Sequence, residues 1–179
     1  MNDKEELRYK LKIKRKYFGG VRREFADGAI LDNFLNAFSQ YESFFIYNSF
    51  STEADTKALI AELVAAGKKV YLPRVDGEKM VAVPYGETVK GAFGIDEPRG
   101  KPYNGKIDVT VIPLLAVNGR GYRIGYGKGF YDRYLKDKRT KKVGLGYSFQ
   151  IESFEEDKWD IPLDLFLCEK GIYYYESQQ

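Results

Sequence analysis

Apolar positions in the first part of the chain recur at helical spacing. Leu7, Leu11 and Phe18 form one stripe amid charge, which predicts a helix from Asp3 to about Phe18. Ile30, Leu31, Phe34, Leu35 and Phe38 predict a second helix over Asp27–Gln40. The pattern then changes. SFFIY (Ser43–Tyr47) is short and aromatic, as strands are. Thr52–Ala66 returns to helical spacing, with Leu59, Ile60, Leu63 and Val64 inward and Gly67 as a stop. Lys68–Val75 reads as the next strand. Strand, helix and strand within Ser43–Val75 make a βαβ unit, the building block of parallel sheets.

Beyond it, Met80–Tyr85 is a further strand candidate, and Gly86–Lys106 is rich in Gly and Pro and reads as loop. Ile107–Val117 is almost wholly apolar after Asp108, as a strand covered on both faces would be. Phe130–Asp137 reads as helix, Lys142–Phe149 as strand, and DLFLCE and GIYYY as late strands. There is no internal repeat, low-complexity tract or linker. The expected fold is therefore α/β: a single domain over residues 1–179 whose mainly parallel open sheet, Rossmann-like, is flanked by helices.

Composition narrows the chemistry. The chain has no histidine and a single cysteine, Cys168. Histidine-based triads and His-ligated zinc are thereby excluded, and any metal must be held by oxygen, as magnesium and calcium are. Cys168 lies in a strand candidate and is expected to be buried, not nucleophilic. A net charge of +3 permits an anionic ligand without implying the dense basic face of a nucleic-acid binder. No apolar run approaches a membrane span and no apolar signal core follows the basic N-terminus, so a cytoplasmic protein is expected.

One stretch stands apart. GRGYRIGYGKGFYDRY (Gly119–Tyr134) holds five glycines, four basic residues and four tyrosines in sixteen positions. It follows a buried strand and precedes a helix, where α/β sheets bind ligands. Glycines let backbone approach a phosphate, and Arg120, Arg123 and Lys128 add charge, so the stretch suits a polyanion such as a nucleoside triphosphate. It is not a P-loop, because Tyr122 replaces the first glycine and Gly129 the Ser/Thr. Gly125, Gly127 and Gly129 are spaced G-x-G-x-G and fail the dinucleotide fingerprint, and Asp132 and Arg133 break the RNA-binding consensus. Tyr126, Phe130 and Tyr131 read equally well as core residues, and Asp132 as a plain first-turn acid favoured by the helix dipole; with a nucleotide bound, Asp132 is placed to hold Mg²⁺.

RIGYGKGFYDRYL (Arg123–Leu135) resembles the signature of the 5-formyltetrahydrofolate cyclo-ligase family, also called methenyltetrahydrofolate synthetases. The resemblance covers almost the whole chain in order: KEELR (Lys4–Arg8), EADT (Glu53–Thr56), LPR (Leu72–Arg74), GIDEP (Gly94–Pro98), GLGYSFQ (Gly144–Gln150) and DIPLD (Asp160–Asp164). It implies an ATP- and Mg²⁺-dependent ligase that converts 5-formyltetrahydrofolate to 5,10-methenyltetrahydrofolate. ATP would be held by Lys4, Leu7 and Arg8 and by Arg123, Ile124, Gly125, Tyr126, Gly127, Lys128, Gly129, Phe130 and Tyr131. Arg123 and Lys128 would stabilise the transferring phosphate, and Lys128 stands where many members have glycine. Asp132 and Asp160 would hold Mg²⁺, and Asn48, Glu53 and Tyr131 the folate. A monomer acting on small molecules, with neither nucleic acid nor membrane as partner, is expected. A non-catalytic basic α/β module for nucleotides or nucleic acid, and a folate-binding relative without turnover, are the alternatives.

Overall fold

The computed structural model describes residues 3–91 and 94–176. A seven-stranded sheet runs through the molecule. Its strands are β1 (Ser43–Ile46), β2 (Lys69–Asp76), β3 (Lys79–Pro84), β6 (Val109–Pro113), β9 (Lys141–Leu145), β10 (Leu165–Cys168) and β11 (Gly171–Tyr174). The order across the sheet is β11-β10-β9-β6-β1-β2-β3. β2, β1, β6, β9 and β10 are parallel neighbours, and β3 and β11 pair antiparallel at the two edges. The expected α/β fold is thus observed, with hairpins closing both edges.

Alternation along each strand sorts side chains to two faces. From β1, Phe44 and Ile46 enter one core with Phe34 and Phe38 of helix α2 (Gly20–Phe38) and Leu59 and Leu63 of helix α3 (Lys57–Ala65). Phe45 turns the other way, onto Tyr71, Met80, Ala82 and Ile107, with Tyr131 and Tyr134 of helix α4 (Phe130–Leu135) packed against them. β10 repeats the division: Leu165 and Leu167 face α2, and Phe166 and Cys168 join Ile112 and Leu135 opposite. A strand with both faces covered carries apolar residues at every position, which is why Ser43–Tyr47 shows no polar alternation. Helix α1 (Asp3–Tyr17) lies beside a minor two-stranded sheet, β7 (Ala116–Val117) with β8 (Arg123–Ile124), where Leu11 packs on Ala116 and Ile124. Cys168 is buried, as expected.

Several expected boundaries move. α2 begins at Gly20, not Asp27; Val21 and Phe25 in its first turns are exposed and so contribute no inward stripe. α3 begins at Lys57, because Ser49, Asp55 and Thr56 hydrogen-bond to one another and hold the preceding residues in a loop. Val64, expected inward, is among the exposed apolar residues. The apolar run Ile107–Val117 is two elements, since the chain leaves the main sheet after Pro113 and pairs again at Ala116 with β8. The expected loop Gly86–Lys106 contains a hairpin of β4 (Thr88–Lys90) with β5 (Asp96–Pro98), although its residues 92 and 93 lie outside those described. The strand expected over Lys142–Phe149 ends at Leu145, and Ser148–Gln150 is a short 3-10 turn. α4 ends at Leu135, not Asp137.

Candidate functional site

The parallel strands stand in the order β2-β1-β6-β9-β10, so the chain's progress across the sheet reverses between β1 and β6. Loops leaving the carboxyl ends of these two strands part in opposite directions and open a crevice there. A cavity of about 970 Å³ occupies it. Tyr47 and Asn48 follow β1 into its wall, Pro113 closes β6, and the glycine-rich segment from Arg123 to Arg133 crosses it. Every site residue expected from the sequence lines this cavity except Leu7 and Arg120, which was expected to add charge for the anion but pairs with Glu155 and Glu156. Leu7 packs instead beside Leu11, Ala116 and Ile124, so it anchors α1 and leaves Lys4 and Arg8 facing the crevice.

Charge is distributed unevenly around the cavity. At one end, Lys4 lies 2.7 Å from Asp157 and 3.3 Å from Asp160, and burial and the two acids act on its ammonium with a net upward shift. Arg8 donates from Nε to the Gly125 carbonyl at 3.0 Å, tying α1 to the glycine-rich segment. Arg123 is 8% exposed, and its guanidinium lies 3.2 to 3.4 Å from the Asp132 carboxylate. Arg123 was expected at a phosphate and Asp132 at a metal; in the structure the two face each other. The Ile161 N–H also donates to Asp132 at 3.3 Å, which brings the acid at position 132 alongside the segment that carries Asp160.

The glycine-rich segment departs from regular structure where its residues permit. Gly127 has φ +88°, a left-handed conformation that L side chains seldom adopt. α4 is only six residues long, too short to supply helix-end charge, so the positive charge along the cavity wall comes from the side chains of Lys4, Arg8, Arg123, Lys128, Arg133 and Lys136. Phe130 and Tyr131 are both core and wall: they pack on the cluster around Phe45 and also line the cavity. Arg133 lies over the Phe130 ring at 5.2 Å and Arg123 over the Tyr131 ring at 5.9 Å.

The wall also carries the apolar side chains Phe50, Pro73, Val75 and Met80, with the acids Glu53, Asp96 and Glu97 among the lining. Glu53 Oε1 accepts from the Tyr126 hydroxyl at 2.8 Å and Oε2 from the Phe50 N–H at 2.8 Å. Burial pushes its carboxyl above the ordinary value of 4.5, against these two bonds and the positive charges of Arg15 and Lys57. Asn48 donates to the Asp96 carbonyl at 3.4 Å, linking the end of β1 to the β4–β5 hairpin. Burial, more than any neighbour, raises the Tyr131 phenol, so it remains a neutral hydroxyl.

The sequence reading missed part of this wall. Asp157 shares Lys4 with Asp160, and Arg133, Lys136 and Trp159 reach the cavity from neighbouring turns. Arg133 and Lys136 were legible in principle, since they continue the spacing of Gly129 and Asp132 along one short helix.

A sequence model of the 5-formyltetrahydrofolate cyclo-ligase family matches residues 1–169. The chain belongs to that family. It is 30% identical over 176 residues to the 5-formyltetrahydrofolate cyclo-ligase of Haemophilus influenzae, covering 89% of this chain and 94% of the relative. It is 36% identical over 142 residues to that of Escherichia coli K12, covering 72% and 78% respectively. The solved structure of 5,10-methenyltetrahydrofolate synthetase from Aquifex aeolicus superposes with a TM-score of 0.87 at 33% identity, covering 98% of this chain and 94% of that one. The match to cyclo-ligases thus extends over the elements that build the crevice, from α1 to β10. No helix among the described residues is long and apolar enough to cross a membrane.

Proposed function

We propose that this protein uses ATP to close 5-formyltetrahydrofolate to 5,10-methenyltetrahydrofolate, releasing ADP and phosphate. One observation supports the reading: a single crevice at the sheet's reversal point is lined both by cations, Lys4, Arg8, Arg123 and Lys128, and by apolar and aromatic side chains, Phe50, Pro73, Val75, Met80 and Phe130, with Glu53 in the same wall. A triphosphate suits the first and a flat heterocycle the second. Membership of the family supports ATP as co-substrate.

The chemistry follows from the substrate. The formyl group on N5 is an amide, whose oxygen is a poor leaving group. Its oxygen attacks the γ-phosphorus, the bond to the β-phosphate oxygen breaks, and ADP departs. N10 then attacks the formyl carbon, phosphate leaves with the former formyl oxygen, and N10 loses its proton. The protein's share is positioning and charge stabilisation. We assign Lys4, Arg8, Lys128 and the backbone of Ile124–Gly129 to the triphosphate. Arg123, which lines the cavity, is assigned to the transferring phosphoryl group. Glu53, with Asn48 and Tyr131, is assigned to the folate: an ionised carboxylate accepts from N–H donors, and Tyr131 offers a neutral face for stacking.

Magnesium fits the donor set. Asp132 and Asp160 supply carboxylate oxygens, the ligand type this ion takes, and the Asp132 carboxylate accepts from the N–H of Ile161, the residue next to Asp160. No group of three or more acidic, histidine or cysteine side chains among the described residues could hold a metal by itself. A carboxylate pair therefore needs phosphate oxygens to complete the shell, as is usual for this ion. When bound, it would neutralise charge building on the phosphates. We further propose that the chain works as a single-domain monomer in the cytoplasm.

The test is direct. Purified protein mixed with ATP, Mg²⁺ and 5-formyltetrahydrofolate should generate the methenyl absorbance band and release phosphate in equal amount. Absence of turnover at saturating substrates overturns the reading, and folate binding without turnover would identify a relative that has lost the reaction.

A further inference from the structure

Arg15 is buried to 5% exposure near the C-terminal end of α1, yet it has no carboxylate within ion-pair distance among the described residues. Its Nη2 donates to the Tyr126 hydroxyl at 2.8 Å, its Nη1 meets the Leu114 carbonyl at 3.5 Å, and its Nε is buried with no hydrogen-bond partner. A cation removed from water at this depth needs compensating charge. The nearest such charge along its bonds is Glu53, one hydroxyl away.

With Glu53 ionised, the direction of that connection is fixed. A guanidinium can only donate, so the Tyr126 oxygen must spend a lone pair on Arg15. Its single proton is then left for Glu53, to which it donates at 2.8 Å. Glu53 receives a second bond from the Phe50 N–H and so has both oxygens accepting. Arg15 also lies 5.7 Å from the Tyr126 ring centroid, which fixes the ring as well as its hydroxyl. Sequence separations of 111 between Arg15 and Tyr126 and 73 between Tyr126 and Glu53 make the relay purely tertiary.

We propose that Arg15 is a positioning residue for the ligand-reading carboxylate: through Tyr126 it holds Glu53 ionised and aimed, so that the site prefers a ligand presenting N–H donors. The proposal rests on the assignment of Glu53 to the folate. Other groups around Glu53 act on the same carboxylate. Lys57 from α3 adds positive charge, Arg23 from α2 donates to the Glu53 backbone carbonyl at 2.8 Å, and the neutral phenols of Tyr47 and Tyr131 feel its charge. Arg15 differs from them in being joined to the carboxylate itself through a hydroxyl.

The experiment compares Arg15→Met, Arg15→Lys, Tyr126→Phe and the Arg15→Met/Tyr126→Phe double variant, each checked by thermal melting. Methionine keeps the bulk and removes the charge. Loss of a charge-assisted bond predicts that KM for 5-formyltetrahydrofolate rises about tenfold or more in Arg15→Met, and by more than KM for ATP. The double variant should be no worse than the worse single one, because the two act in series. Arg15→Lys should recover part of the loss. Independently of any folate, ¹³C NMR titration of the Glu53 carboxyl, assigned with Glu53→Gln, should show its midpoint moving to higher pH in Arg15→Met. An unchanged midpoint in folded Arg15→Met overturns the proposal, as does an additive double variant. A shifted midpoint in a protein that neither binds nor converts 5-formyltetrahydrofolate keeps the relay and instead refutes the assignment of the site to folate.

Discussion

Gly125 and Gly127 lie two residues apart in the cavity wall, and alanine should affect them in opposite ways. Gly127 has φ +88°, so alanine there is strained wherever its methyl goes. The left-handed region costs a non-glycine residue about 1–2 kcal/mol. For a chain of this size each kcal/mol corresponds to roughly 2–4 °C, so Gly127→Ala should melt about 2–8 °C lower. Its methyl would lie 3.8 Å from Arg8 Nη2, an ordinary contact that adds no clash. Gly125 is the reverse case. Its φ lies outside the left-handed range, and a built Cβ meets nothing within 4 Å. Alanine should therefore leave the melting temperature unchanged or raise it slightly, since it narrows the unfolded ensemble. The open space at Gly125, however, belongs to the cavity. If the triphosphate approaches this backbone, a methyl there holds it off and weakens at least one charge-assisted hydrogen bond. That is about 1.5–3 kcal/mol, or an increase in KM for ATP of about tenfold to a hundredfold. Differential scanning fluorimetry and initial rates at varied ATP separate the two effects. Unchanged melting and unchanged KM for ATP in Gly125→Ala would refute the idea that glycine is there to admit phosphate.

Burial holds Glu53 above 4.5, so its acceptor form is lost as pH falls through that raised value. KM for the folate should rise on the acid side through a midpoint above 4.5, and Glu53→Gln should flatten that limb. The linkage has the matching sign: a carboxyl raised in the folded state favours folding at low pH and loses that contribution as pH rises through its folded value. Glu53→Gln should thus remove the part of the stability loss with rising pH that Glu53 causes, whatever it costs buried Arg15 at every pH, as thermal melts across pH would record. Asp132→Asn removes the carboxylate that faces nearly buried Arg123 at 3.2 Å. Because Asp132 is itself partly exposed, the cost should be about 2 kcal/mol, less than for a fully buried pair, and melting should fall by roughly 4–8 °C. The same variant should need more Mg²⁺ for half-maximal rate; a lower melting point with an unchanged Mg²⁺ requirement would leave Asp132 as Arg123's partner and remove it from the metal.

Much of the fold was legible because local pattern and burial agree. The βαβ unit from Ser43 to Asp76 was readable from an aromatic strand, an inward stripe at Leu59, Ile60 and Leu63, and a stop at Gly67. The glycine-rich segment stood out as an anion-site candidate through its glycines, its charge and its place between a strand and a helix, and the structure puts it in the cavity wall; the motifs around it carried the family resemblance. Where the pattern said nothing, expectation failed for a physical reason. The first turns of α2 present Val21 and Phe25 to solvent, so they lack the inward face by which a helix is recognised. The run Ile107–Val117 is apolar throughout, and a uniform run has no period to mark where the chain leaves the main sheet after Pro113.

The same division holds for the site. Residue types along the chain determined what chemistry was available: no histidine, oxygen ligands only, and cations and glycines beside a strand end. They did not determine which groups would face one another. That Arg123 meets Asp132, that Lys4 spans Asp157 and Asp160, and that a buried Arg15 reaches Glu53 through Tyr126 follow from how α1 and the glycine-rich segment dock over β1 and β6. Local pattern records which face of each element seeks the core, because burial acts on every residue separately. Polar pairing across a cleft needs two distant segments in one place, and only the folded sheet supplies that.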